Sequence, residues 1–130
     1  MNIKQFNDWL SSDNKQSLIM GILNVTPDSF SDGGQYFDKN VAVEHALAMI
    51  RNGANIIDIG GESTRPFSDP VSLDEEISRV IPVIKGIRKK SDVCISIDTT
   101  KSMVASEALH VGASIICLLY TSDAADEERG

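Results

Sequence analysis

The chain is short of positive charge and of cysteine. It carries 12 Lys and Arg against 19 Asp and Glu, a formal net charge of −7 over 130 residues. Asp123, Asp126, Glu127 and Glu128 against Arg129 contribute −3 of that, which leaves −4 for everything before them. A mildly acidic body argues against non-specific nucleic-acid binding, which would need a basic stripe. An anionic small molecule is not excluded, because a few local donors override net charge. Cys94 and Cys117 are the only 2 cysteines, without metal-type spacing and without a secretory signal ahead of them, so reduced thiols in a cytoplasmic protein are the default. No apolar run approaches the length needed to span a bilayer, and MNIKQFNDWLSSD at the amino terminus lacks the apolar region of a signal peptide. Also missing are a linker, a low-complexity tract and any Ser/His or Cys/His set for nucleophilic catalysis.

What is present is an alternation of strand and helix, with a hydrophobic content of 42% that suits a packed core. Leu18 to Leu23 is a short apolar run, which predicts a strand buried on both faces. Asp38 can cap the next helix, whose apolar positions Val43, Ala46, Leu47 and Ile50 recur at i, i+3, i+4 and i+7 before Gly53 stops it. Ile56 to Ile59 predicts a second strand, interrupted by Asp58. Ser72 and Glu75 form a capping-box pattern ahead of the stripe Ile77, Val80, Ile81, Ile84 and Ile87. Pro82 lies inside that stripe and predicts a kink or break, since it removes a backbone donor and crowds the preceding turn. Val93 to Ile97 predicts a third strand ending at Asp98, Thr99 and Thr100 offer caps for a helix over Lys101 to Val111, and Ser114 to Ile116 opens a fourth strand. Phe6, Trp9 and Leu10 have the spacing of a short helix packed over one end of the sheet.

With no hairpin signal between strands, this order predicts consecutive parallel strands joined by helical crossovers. Asn24, Thr64 and Asp98 each stand just after a strand at a similar interval, close to the 30 or so residues of a βαβ unit. All three then face out from one end of the sheet, where α/β proteins keep their chemistry. A doubly wound sheet and part of an eight-stranded barrel both satisfy the pattern.

The first strand and its loop, Asn24-Val25-Thr26-Pro27-Asp28-Ser29-Phe30, resemble the amino-terminal signature of the dihydropteroate synthase family. Asp58-Ile59-Gly60-Gly61-Glu62-Ser63-Thr64-Arg65-Pro66 is similar to that family's second signature, and Ile95-Ser96-Ile97-Asp98-Thr99-Thr100-Lys101 to a third. The resemblance runs from about Leu18 to Ile116. It implies an α/β fold: the amino-terminal half of a (β/α)8 TIM barrel, ending after about three and a half βα units. The activity it implies joins a dihydropterin methyl diphosphate to 4-aminobenzoate and releases diphosphate, in a full-length parent that is a cytoplasmic homodimer. By resemblance, Asn24 helps hold Mg²⁺ on the diphosphate, Thr64 and Arg65 contact the substrate around its diphosphate, and Asp98 binds the pterin ring.

Chemistry agrees with those assignments. Departing diphosphate gathers negative charge, which calls for a hard cation with oxygen ligands and a planar cationic donor. A pterin edge presents a row of N–H donors, and an ionised carboxylate accepts them without competing as a donor. The arylamine is neutral near pH 7, so positioning outweighs a strong general base.

Other polar residues read differently. Asp28 and Asp32 serve as well for Asx-type turns as for function, and Asp58 reads as a structural hydrogen-bond partner. His45 and His110 read as helix surface residues and Cys94 as core, while Lys101, opening a helix beside Asp98, could pair with a carboxylate but reads more simply as a surface lysine. Two departures from the family pattern stand out. Phe67 replaces a usual glycine, and Cys117-Leu118-Leu119-Tyr120 replaces an Asn-Asp pair. Residues 117–130 therefore read as an unrelated tail after a partial domain over 1–116, and the chain by itself as catalytically silent. Two alternatives stand beside the synthase: a pterin-binding module of the corrinoid methyltransferase type, which shares the barrel and the carboxylate but is disfavoured by NVTPDSFSDGG, and a non-catalytic remnant that only binds or oligomerises.

Overall fold

A computed structural model describes residues 1–13, 15–26, 38–61 and 71–117. The elements are α1 (Ile3–Ser11), β1 (Met20–Asn24), α2 (Lys39–Arg51), β2 (Ile56–Gly60), α3 (Leu73–Arg88), β3 (Cys94–Asp98), α4 (Ser102–Val111) and β4 (Ile115–Cys117). The four strands form one sheet in the order β1-β2-β3-β4, every neighbouring pair parallel.

Each helix forms where the local chemistry starts and stops it. In α1, Asn2 and Gln5 complete a reciprocal capping box, and the rings of Phe6 and Trp9 stack with centroids 5.7 Å apart. None of its residues is buried, so its tie to the sheet is backbone: the Cys94 N–H donates to the Met1 carbonyl at 2.7 Å. Asp38 caps α2 by accepting from the N–H groups of Asn40 and Val41. Ser72 accepts from the Glu75 N–H to start α3, while the Glu75 carboxylate turns instead to Arg79 Nη2 at 3.1 Å. Gly112, at φ +127°, ends α4 in a conformation that side chains rarely adopt.

Strand alternation divides the sheet into two faces. Leu23, Ile57, Ile59, Ile95 and Ile97 point to one face and join a single core with Ala42, Val43 and Ala46 of α2, Val80, Val83, Ile84 and Ile87 of α3, and Val104 and Ala108 of α4. All three crossover helices thus lie on the same side, α2 against α3 and α3 against α4. A doubly wound sheet reverses its strand order and covers both faces with helices. Here the order never reverses among the described strands, which is the arrangement of a (β/α) barrel wall.

Three expectations change. The strand β1 is not buried on both faces, because Met20 and Ile22 point away from the helices and are 46% and 55% exposed. At the edge of the described sheet only the Gly21 and Leu23 face meets α2, and Met49 lies so close that a Cβ on Gly21 would fall 2.8 Å from its Sδ. Pro82 does not break α3, which runs unbroken from Leu73 to Arg88. Burial of Val80, Val83, Ile84 and Ile87 on both sides of the proline offsets its cost of about 3 kcal/mol. Finally, α4 begins at Ser102 with Lys101 as its N-cap, one step after the threonines expected to cap it.

Candidate functional site at the carboxyl ends of the strands

Parallel registration puts Asn24, Gly60, Asp98 and Cys117 on one rung, the last of the sheet. Two of the residues singled out in the sequence, Asn24 and Asp98, therefore share a face, with Gly60 between them. A Cβ built on Gly60 would fall 3.4 Å from the Asp98 carbonyl oxygen and 3.8 Å from its Oδ2. Glycine leaves that space open. Neighbouring strands are about 4.8 Å apart, so the two outer positions are separated by roughly 10 Å.

One rung deeper on the same face stand Ile22, Asp58, Ser96 and Ile115. Asp58 is only 6% exposed and accepts a short hydrogen bond from the Ser96 hydroxyl, itself fully buried. Burial pushes the Asp58 carboxyl above the usual range, against the hydrogen bond from Ser96, which pulls it down. Its role as a structural hydrogen-bond partner is what the geometry shows. Asp98 is also raised, first by burial and then by the negative charges of Asp58 and Glu76. A cationic or N–H-rich ligand edge would relieve that charge crowding.

Behind the rung, α3 contributes a set of contacts that sequence reasoning did not anticipate. Glu76 is 1% exposed, yet its Oε1 takes the Lys101 ammonium at 2.8 Å and its Oε2 accepts from the Thr99 hydroxyl at 2.7 Å. Thr99 Oγ1 in turn accepts from the Lys101 N–H at 3.1 Å. Lys101 thus pairs with a carboxylate, the less simple of its two readings, and is not a plain surface lysine. One turn on, Arg79 Nη1 donates to the Gly61 carbonyl at 2.9 Å, holding the start of the second loop. A signal for Glu76 existed: positions 76, 80, 83, 84 and 87 are one helical stripe, and a carboxylate occupies its first place.

Thr64 and Arg65 lie outside the described residues, as do Asp28, Asp32, Phe67 and the segment 118–130. His45 and His110 are exposed on α2 and α4, while Cys94 is a buried core thiol that burial pushes up. Among the described residues no group of three His, Cys, Asp or Glu side chains could hold a metal unaided. Mg²⁺ keeps several waters and takes one or two protein oxygens together with substrate phosphates, so the single amide oxygen of Asn24, exposed at a strand end, suits it as a partial ligand. No helix of the described residues is long and apolar enough to cross a membrane.

In-order parallel strands, helices on one side and polar residues gathered at the carboxyl ends define a (β/α)-barrel type of small-molecule site. Residues 20–124 match the family of pterin binding enzymes, and the chain belongs to that family. Within it, the chain is 63% identical over 102 residues to the dihydropteroate synthase of Bacillus subtilis, covering 78% of this chain and 36% of that protein. Its fold superposes on the Xanthomonas albilineans dihydropteroate synthase solved with 4-aminobenzoic acid, at a TM-score of 0.73 and 46% identity, covering 78% of this chain and 37% of that one. The Clostridium difficile dihydropteroate synthase solved in the presence of pteroic acid gives a TM-score of 0.73 at 56% identity, covering 78% and 39%. The chain thus spans less than two fifths of the length of these relatives.

Proposed function

We propose that these residues form part of the active site of a dihydropteroate synthase, in which Asn24, Thr64, Arg65 and Asp98 receive the pterin diphosphate. In the reaction, the amine of 4-aminobenzoate attacks the methylene carbon of (7,8-dihydropterin-6-yl)methyl diphosphate. A C–N bond forms as the C–O bond breaks, diphosphate leaves with the electron pair, and the amine gives up a proton. The observation that carries the reading is the shared rung: Asn24 and Asp98 face the same space across an unobstructed Gly60.

Asp98 would accept from the N–H edge of the pterin, and a site that also holds Asp58 and Glu76 favours a donor-rich ring over a second anion there. The diphosphate then extends toward Asn24 and the second loop, where Arg65 offers two parallel N–H donors and Thr64 a hydroxyl. Mg²⁺ bound with Asn24 would supply a hard cation against the charge of the departing diphosphate. The chain's own contribution is orientation, holding the methylene carbon where the neutral amine can reach it in line. A buried, free Cys94 fits the cytoplasmic setting of such an enzyme.

The test is a chimaera in which residues 20–116 replace the matching segment of the Bacillus subtilis synthase. It should form dihydropteroate from the two substrates. Asp98→Asn should weaken pterin-substrate binding by about 1–3 kcal/mol, the loss expected for a charge-assisted hydrogen bond. An active chimaera whose pterin affinity ignores Asp98→Asn would remove that residue from the site.

A further inference from the structure

A buried carboxylate at the amino-terminal turn of a helix is costly unless it is paired, and an apolar residue would fill the same place on the α3 stripe more cheaply. Glu76 is nevertheless there, and both of its oxygens are committed to residues that immediately follow Asp98. Thr99 is fixed twice, donating to Glu76 and accepting from the Lys101 N–H. The backbone leaving β3 is thereby clamped on both sides of residue 100, beginning at the residue bonded to Asp98. Gly61 completes the seat, since a Cβ there would fall 3.1 Å from Glu76 Cγ and 2.9 Å from Val80 Cγ1. The chain emerging from β2 thus presses directly on the residue that holds the chain emerging from β3.

We propose that Glu76 is a positioning residue of this site, acting through Thr99 and Lys101 to fix the direction in which the Asp98 carboxylate meets its ligand. Glu76 touches neither substrate nor the reacting atoms. It sets the aim of a group that does. This inference rests on the pterin-binding reading of Asp98 and deepens it, because an oriented acceptor gains from a planar edge of N–H donors what an unaimed carboxylate would lose.

Two arms test it. In the 130-residue chain, Thr99→Val removes the hydroxyl at nearly constant volume, and amide hydrogen exchange reads the clamp without any ligand. The Lys101 N–H should lose about tenfold or more of its protection while the amides of β2 and β3 keep theirs. Unchanged Lys101 exchange would overturn the clamp itself. In the active chimaera, Thr99→Val should raise KM for the pterin diphosphate about tenfold and leave KM for 4-aminobenzoate unchanged. Glu76→Gln, which keeps an acceptor for Thr99, should restore most of what Glu76→Ala loses. In an Asp98→Asn background, Thr99→Val should add little further, because the residue it aims has already lost its charge.

Equal effects on both KM values, or full additivity with Asp98→Asn, would make Glu76 a stability residue only and overturn the proposal. An Asp98→Asn variant of the chimaera with unaltered pterin affinity would instead sink the pterin reading, leaving the clamp to be judged by exchange in the chain.

Discussion

Ser96→Ala isolates a buried polar pair in the described sheet. Ser96 is fully buried and donates to an Asp58 carboxylate that is itself almost completely enclosed. A hydrogen bond to a charged group contributes about 1.5–3 kcal/mol, and removing the buried hydroxyl returns a part of that as relieved desolvation, so the net loss near neutral pH should be about 2 kcal/mol. For a chain of this size the melting midpoint should fall by roughly 6–10 °C. The pH dependence fixes the cause. Burial raises Asp58 above its ordinary value, so the folded chain binds this proton more tightly than the unfolded chain. Stability from Asp58 therefore falls as pH rises from the ordinary carboxylate range through the raised value. Ser96 opposes that fall by pulling the carboxyl down, and its loss should deepen it. Urea unfolding followed by circular dichroism, near neutral pH and again at acid pH where Asp58 is protonated, should show a smaller penalty in acid. The same penalty at both pH values, or less than about 0.5 kcal/mol near neutral pH, would refute the view that Ser96 serves the buried charge.

Gly60→Ala separates stability from function. The added methyl meets Asp98 only at ordinary contact distances, so unfolding should shift by no more than about 1 kcal/mol. The methyl also fills the gap between Asn24 and Asp98, and pterin-substrate affinity of the chimaera, measured by calorimetry, should drop about tenfold or more. Gly112→Ala should do the reverse. Its φ of +127° strains any side chain and its Cβ would fall 2.9 Å from Arg88 Nε, for a loss of about 1–3 kcal/mol in denaturant melts with substrate affinity unchanged.

Much of the architecture was legible because strands and helices here obey their own periodicities. Ile57, Ile59, Ile95 and Ile97 announce a buried sheet, and Asp38, Ser72 and Gly53 mark helix limits that the structure keeps. Whether the sheet was doubly wound or barrel-like could not be read from local pattern, since that depends on which strand pairs with which. The approximate spacing of Asn24 and Asp98 was readable, but their common rung required the register. Glu76 was missed for a specific reason. Acidic residues in a first helical turn are favoured by the helix dipole on any surface, which hid a carboxylate standing at the head of the apolar stripe. For Lys101 a carboxylate partner was one of two readings, but Glu76 lay 25 residues away and no local pattern could name it. Pro82 shows the opposite error, a strong local rule overridden by burial on either side.

The rung of Asn24, Gly60 and Asp98 has the character of a calliper. Its jaws are not two mobile side chains on loops but two strand ends whose separation is set by the hydrogen-bond spacing of β1, β2 and β3. Rotamer changes can trim that opening by an ångström or so. Widening it by a whole step would require a slip in strand register, and a one-residue slip would turn Asn24 or Asp98 to the opposite face and bring Leu23 or Ile97 round in its place. Any molecule that engages both jaws is therefore gauged for length by the backbone itself. Ligand variants that change the shape of either end should be tolerated far better than variants that change the distance between them.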